Sequence, residues 1–187
     1  MRAFIYGVWF IVVTGMLSGC GSNTDTKPAA SATPPSAAPQ AENAADTKDF
    51  VMQSGGANVL KLTAPGGTKC VAEDGELKFD APKFYVEVWL ASGAKSVEEA
   101  VENVSSQIVS EFKNFKPDQT TELTIARSPA KRMVGVGEEA DDGDPGKADV
   151  IVFKVGERVF VACNHGESLN DAGQQGLLTL VQTAQMP

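Results

Sequence analysis

The chain has 187 residues, with 16 basic against 24 acidic side chains, a net charge of −8, one histidine and three cysteines. That acidic balance argues against nucleic acid as a partner, because Lys and Arg must neutralise phosphates to supply affinity there. It also argues against attachment to anionic lipid by charge alone. Arg2 opens the chain, and Phe4–Leu17 is a nearly unbroken apolar run of 14 residues. A membrane-spanning helix needs about 20 residues, so the run fits the apolar region of a cleaved export signal.

Leu17-Ser18-Gly19-Cys20 follows. These four residues resemble the lipobox of bacterial lipoproteins. The resemblance implies cleavage before Cys20, lipidation of Cys20, and anchoring to a membrane that faces the periplasm or the cell exterior. Several acyl chains make such an anchor stable, where one chain binds only marginally. Gly21, where an Asp would imply inner-membrane retention, points to the outer membrane in a two-membrane cell. Residues 21–48 are Ala, Ser and Thr interrupted by Pro28, Pro34, Pro35 and Pro39. So little apolar area cannot offset the entropy of ordering, and the stretch reads as a disordered tether. The expected layout is a signal peptide at 1–19, the lipidated cysteine and tether at 20–48, and one globular domain at 49–187.

Within the domain, Asn58–Thr63 reads as a strand ending at Pro65-Gly66-Gly67. Thr68–Ala72 is a short strand, and Asp74-Gly75 is a hairpin turn into Glu76–Phe79. Phe84–Leu90 alternates, with Phe84, Val86, Val88 and Leu90 on one face and Tyr85, Glu87 and Trp89 on the other. Ser96-Val97-Glu98-Glu99 is a capping box. The apolar stripe after it (Val97, Ala100, Val101, Val104, Ile108, Val109, Phe112, Phe115) has helical spacing and predicts one helix over 96–115, stopped by Pro117. Strands are expected at 120–127, at 131–136 after a Ser128-Pro129 turn, at 147–155 and at 158–163. Gly156-Glu157 is the two-residue loop between the last two. Their near-continuous apolar character places them centrally. A closing helix over 169–184 is capped by Ser168 or Asn170, with Gly173 and Gly176 each weakening it by about 1 kcal/mol.

This order predicts an α+β fold: an antiparallel sheet of about six or seven strands covered by two or more helices. Residues 76–187 are similar to the PsbP-like α/β/α sandwich, shared by a nuclear Ran-binding import factor and several bacterial envelope lipoproteins. The likeness rests on element order, the helix at 96–115, Pro129-Ala130-Lys131-Arg132 entering a strand, the hairpin 149–163 and the terminal helix. It implies a domain that binds other proteins and is not an enzyme.

Candidate chemistry is sparse. His165, in Cys163-Asn164-His165-Gly166-Glu167, is too isolated for a zinc site, which needs three or four ligands. It reads instead as a turn residue bonded to backbone, with a base or a ligand set including Glu167 and Cys163 as the functional alternative. No Gly-x-Ser-x-Gly elbow or phosphate loop is present, and Gly55-Gly56 and Gly66-Gly67 read as turns. Outside the cytoplasm, Cys70 and Cys163 are candidates for one disulfide, with two buried thiols as the alternative. The acidic run Glu138–Gly146 holds Asp141, Asp142 and Asp144, weak calcium candidates whose spacing fails the EF-hand pattern. No cofactor is implied. The expectation is a membrane-anchored, non-catalytic module that docks a protein partner. The alternatives are a small-molecule or ion (calcium) binder using a pocket between sheet and helix or the acidic loop and, behind them, a hydrolase using His165.

Overall fold

The computed structural model describes residues 46–82, 84–104 and 112–187. Two antiparallel sheets and two helices make up this part. β1 (Thr47–Ser54) and β2 (Ala57–Pro65) form a two-stranded sheet. β3 (Lys69–Glu73), β4 (Glu76–Ala81), β5 (Phe84–Leu90), β6 (Phe112–Ile125), β7 (Ser128–Glu139), β8 (Pro145–Val155) and β9 (Arg158–Gly166) form a seven-stranded sheet in the order β3-β4-β5-β9-β8-β7-β6. α1 (Val97–Val104) lies between β5 and β6 in sequence, and α2 (Asp171–Gln182) closes the chain. The fold is α+β, as the alternation of periods 2 and 3.6 implies.

The sheet separates two cores. On one face, Leu77, Phe79, Val86, Val88, Ile151, Phe153, Phe160 and Ala162 pack under the β1–β2 hairpin and α2. The hairpin contributes Met52, Leu60 and Leu62, and α2 contributes Leu177, Leu180 and Val181. On the other face, Val150, Val152, Val159, Val161 and Cys163 pack with α1 through Val97, Ala100 and Val104. β8 and β9 are central and buried on both faces, which is why their sequences lack polar alternation. β5 turns Val86 and Val88 to the first core and Trp89 to the second, as its alternation predicts. The loops Asp74-Gly75 and Gly156-Glu157 are two-residue connections, with φ of +77° at Gly75 and +60° at Gly156.

Three expectations are corrected. β1 has no counterpart in the sequence reading; its Phe50 and Met52 turn inward opposite Leu62 and Leu60 while Val51 stays exposed. The end of the helix expected over 96–115 is strand instead. α1 covers Val97–Val104, residues 105–111 lie outside the described part, and Phe112 and Phe115 belong to β6. The pairing slips between Lys113 and Lys116, where Asn114 adopts φ +54°. That bulge puts two residues three apart on one face of a strand, the spacing of a helix. Pro117 is tolerated because β6 is an edge strand. Finally, the turn before β7 is Ala126-Arg127 rather than Ser128-Pro129. Both residues have positive φ, +50° and +66°, and Ile125 pairs with Ser128.

Candidate functional site

α2 carries two glycines in its first half that helix propensity disfavours. Their positions explain them. A Cβ on Gly176 would stand 2.6 Å from the Phe84 ring, and one on Gly173 would stand 2.6 Å from Asn164 Nδ2. The glycines let the helix lie close to the start of β5 and the end of β9. Asn170 caps α2, its Oδ1 accepting from Gly173 N at 2.7 Å. At the other end, Thr183 Oγ1 accepts from Thr63 N at 2.8 Å, fixing α2 to β2.

Between these fixed points lies a groove of about 340 Å³, lined by residues of β2 and the Pro65–Thr68 turn, the Ala81-Pro82 and Phe84 segment, and one side of α2. Its apolar walls include Pro65, Pro82, Phe84 and Leu180; Thr63, Thr68, Gln175 and Thr179 supply neutral polar groups, and no described lining residue is ionisable. Its lining shares Ala81, Pro82, Phe84 and Ala172 with a more polar recess of about 580 Å³, bounded by Asp80, Tyr85, Asn164, Ser168 and Asn170 among others. The volume and the mostly apolar lining with a few polar groups are those of a small-molecule site. The sequence reading allowed a pocket between sheet and helix but named none of these lining residues. The signal available was the pair Gly173 and Gly176 inside an otherwise apolar helix.

His165 is not a turn residue bonded to backbone. It lies in β9 opposite Ala148, its side chain 8% exposed. Its ring stands 5.6 Å from that of Phe112 and 6.2 Å from that of Tyr85. Nδ1 approaches Glu139 Oε2 at 3.3 Å without hydrogen-bond geometry, and neither ring nitrogen has a hydrogen-bond partner. Phe112 reaches this place because Gly137 and Gly146 leave space beneath its ring. The alternative ligand set with Cys163 and Glu167 does not form either. No group of three or more metal-ligating side chains exists among the described residues.

Cys70 and Cys163 are free thiols on opposite faces of the sheet, one against each core. β4 and β5 separate their strands, so they stand about 14 Å apart by strand spacing, well beyond disulfide reach. The disulfide expectation is therefore corrected to two thiols. Burial pushes Cys70 up to about 11 and raises Cys163 well above the ordinary thiol value. Asp141 and Asp142 are occupied locally: Asp141 Oδ1 accepts from Asp142 N and Asp142 Oδ1 from Asp144 N, each at 3.0 Å. They form a turn between β7 and β8, not a cage.

One buried ion pair ties three elements together. Arg132 Nε in β7 donates to Asp149 Oδ1 in β8 at 2.9 Å, and its Nη2 donates to Asp149 Oδ2 and, at 3.1 Å, to Gln174 Oε1 of α2. The hydrogen bonds that Arg132 donates to Asp149 raise its already high basicity, against the opposing effect of burial.

No protein-family model and no characterised sequence matches this chain. Several solved structures resemble it, among them the following two. A Bacteroides thetaiotaomicron protein aligns with a TM-score of 0.50 at 10% identity, over 75% of this chain and 48% of its own. LpqN of Mycobacterium tuberculosis, described as involved in cell envelope biogenesis, aligns with a TM-score of 0.42 at 12% identity, over 75% of this chain and 92% of its own. The chain thus spans about half the length of the Bacteroides protein, and the likeness to it at 10% identity is one of fold.

Proposed function

We propose that this chain is a lipid-anchored, non-catalytic binding protein of the cell envelope, and that its site is the groove between α2 and the β2 and β4–β5 segments, which takes a small, uncharged, mainly apolar molecule. The groove carries the reading: it has the size of a ligand site and no charged wall among its described residues. The anchor rests on Leu17-Ser18-Gly19-Cys20. The non-catalytic character is supported by His165, the sole histidine, whose ring stands near two aromatic rings and whose nitrogens have no hydrogen-bond partner to orient them. The test is a thermal-shift screen of the full-length protein against neutral apolar compounds. A ligand at 100 times its Kd adds about 2.7 kcal/mol. Thr179→Trp, which fills the groove from its exposed rim, should abolish the shift. A screen in which no compound stabilises the wild type, or in which Thr179→Trp responds equally, rejects the site.

A protein partner is the second reading, favoured by the outer edge of β6. Gln119–Ile125 pairs only with β7 among the described strands and, unlike the first half of β6, carries no Pro and no bulge. An extended segment could add there as a further strand. A photocrosslinker at Thr121 that traps one neighbour in intact cells supports this reading, and only nonspecific products count against it.

A further inference from the structure

The α1 face of the sheet carries a separate cavity, and we infer that it binds a small organic cation, an alkylammonium or a guanidinium compound. The cavity measures about 510 Å³ and lies between α1 and the β3–β4 hairpin. Trp89 and Val161 line it from the sheet, Ala100 and Val104 from α1, and Asp74 and Glu76 from the hairpin. It shares no described lining residue with the groove beside α2, so it stands whether or not that groove is a site.

Charge selects the ligand. The described lining holds two carboxylates and no Lys, Arg or His. Lys78 stands outside that lining, its Nζ 3.6 Å from Glu76 Oε1 and 3.7 Å from Glu87 Oε1, so one ammonium serves two carboxylates. Burial pushes the Glu76 carboxyl above its ordinary value; Lys78 opposes that rise, and the negative charges of Glu87 and Glu73 add to it. An anion would be repelled here. A neutral occupant would desolvate the carboxylates without compensating them. A cation relieves them. A small hard ion fits poorly, since calcium takes about six to eight oxygen ligands, and no group of three or more metal-ligating side chains exists among the described residues.

Trp89 decides which kind of cation. It is the cross-strand partner of Glu76, and such partners share a face with their Cβ atoms about 5 Å apart. Indole and carboxylate therefore stand side by side in the lining. A carbon-bearing cation within about 6 Å of an indole ring is attracted to its face while its charge meets the carboxylate. The hairpin that carries both carboxylates is fixed on two sides. Asp74 Oδ1 accepts from Gly55 N at 2.8 Å, Gly75 N donates to Gln53 O at 2.6 Å, and Gly75 O accepts from Leu90 N at 2.8 Å. The hairpin backbone is thus set before a ligand arrives, which lowers the entropic cost of binding.

The test uses the full-length chain. It has two tryptophans, Trp9 and Trp89, so in Trp9→Phe protein the indole fluorescence reports Trp89 alone. Titration with choline in one arm and ethylguanidine in the other should change that emission saturably in at least one arm. The tighter arm names the class of cation, quaternary ammonium or guanidinium. The neutral isostere of choline, with carbon in place of its nitrogen, should bind about tenfold more weakly than choline if choline is the tighter cation, and not saturably if ethylguanidine is. Glu76→Gln and Asp74→Asn, each made in the Trp9→Phe background, should weaken the cation about tenfold. Glu102→Gln, on α1 but outside the described lining, should leave it unchanged. Melting temperatures confirm that the variants fold. Asp74→Asn keeps an Oδ1 acceptor for Gly55 N, so a carboxylate variant remains to be read if Glu76→Gln does not fold. No saturable change with either cation, equal binding of the neutral isostere, or binding undiminished in the carboxylate variants overturns the assignment.

Discussion

Removing Arg132 should unfold the domain more readily than removing its partner, and the structure says by how much. Asp149 is fully buried, with 0% of its side chain exposed, whereas the Arg132 side chain keeps 22% exposure. Arg132→Met leaves an anion in the sheet with no cation beside it. Breaking a buried pair in this way costs about 3–5 kcal/mol. The partial water contact of Arg132 puts the pair toward the lower end, about 3 kcal/mol. At about 3 °C per kcal/mol for a protein of this size, the melting temperature should fall by about 9 °C. Asp149→Leu should cost less, about 1–2 kcal/mol, because the freed guanidinium keeps Gln174 and can turn to solvent. The double variant should lose less than the two single losses added together, since a well-packed apolar pair replaces an ionic one. Urea denaturation with an unchanged slope measures all three. If Arg132→Met costs under 1 kcal/mol, or Asp149→Leu costs more than Arg132→Met, the account of this pair is wrong.

Gly176→Ala should destabilise α2 despite the helix propensity it gains, which is about 1 kcal/mol. The new methyl would stand 2.6–2.9 Å from Phe84 atoms, and overpacking of that kind costs about 1–3 kcal/mol; a rise in melting temperature refutes the close contact. Both Cys70 and Cys163 should alkylate in denaturant without prior reduction, as free thiols; a mass two hydrogens short and no alkylation would restore the disulfide. Burial holds Cys70 at about 11 against 9.0 for an exposed thiol. Its folded-state thiol is thus harder to ionise than the unfolded one, so its contribution is intact below pH 9 and lost as pH rises toward 11. Cys70→Ala should flatten part of that decline, and an unchanged pH profile counts against it. Millimolar calcium should leave the melting temperature unchanged within about 1 °C, because Asp141 and Asp142 already accept from backbone amides in their own turn; a larger rise means the loop rearranges into a site.

The elements that one-dimensional spacing defines were legible: β5 by its alternation, the central pair β8 and β9 by their unbroken apolar runs, the capping box before α1, and the hairpin loops with their positive-φ glycines. What spacing alone misassigned was β6. Phe112 and Phe115 are three apart, and three apart means one face of a helix unless a bulge intervenes. The bulge at Asn114 has no signature strong enough to outweigh the periodicity upstream of it. The information that does specify the strand sits elsewhere, in Gly135, Gly137 and Gly146, whose missing side chains leave room over β7 and β8 for β6 and the Phe112 ring. The groove was hidden for the same reason. Gly173 and Gly176 read as weakness in a helix until Asn164 and Phe84, from two other strands, are seen to occupy the space they leave. In both places glycine specifies the approach of a distant segment, and that meaning is carried by the pair of partners rather than by either stretch of sequence. It follows that substitutions at these glycines should act on partners far away in the chain: Gly137→Ala on the seating of Phe112 against His165, and Gly176→Ala on the groove wall at Phe84. Histidine ring resonances that shift in Gly137→Ala and stay put in Gly176→Ala would separate the two effects, and equal shifts in both would show that the two faces of the sheet are not independent.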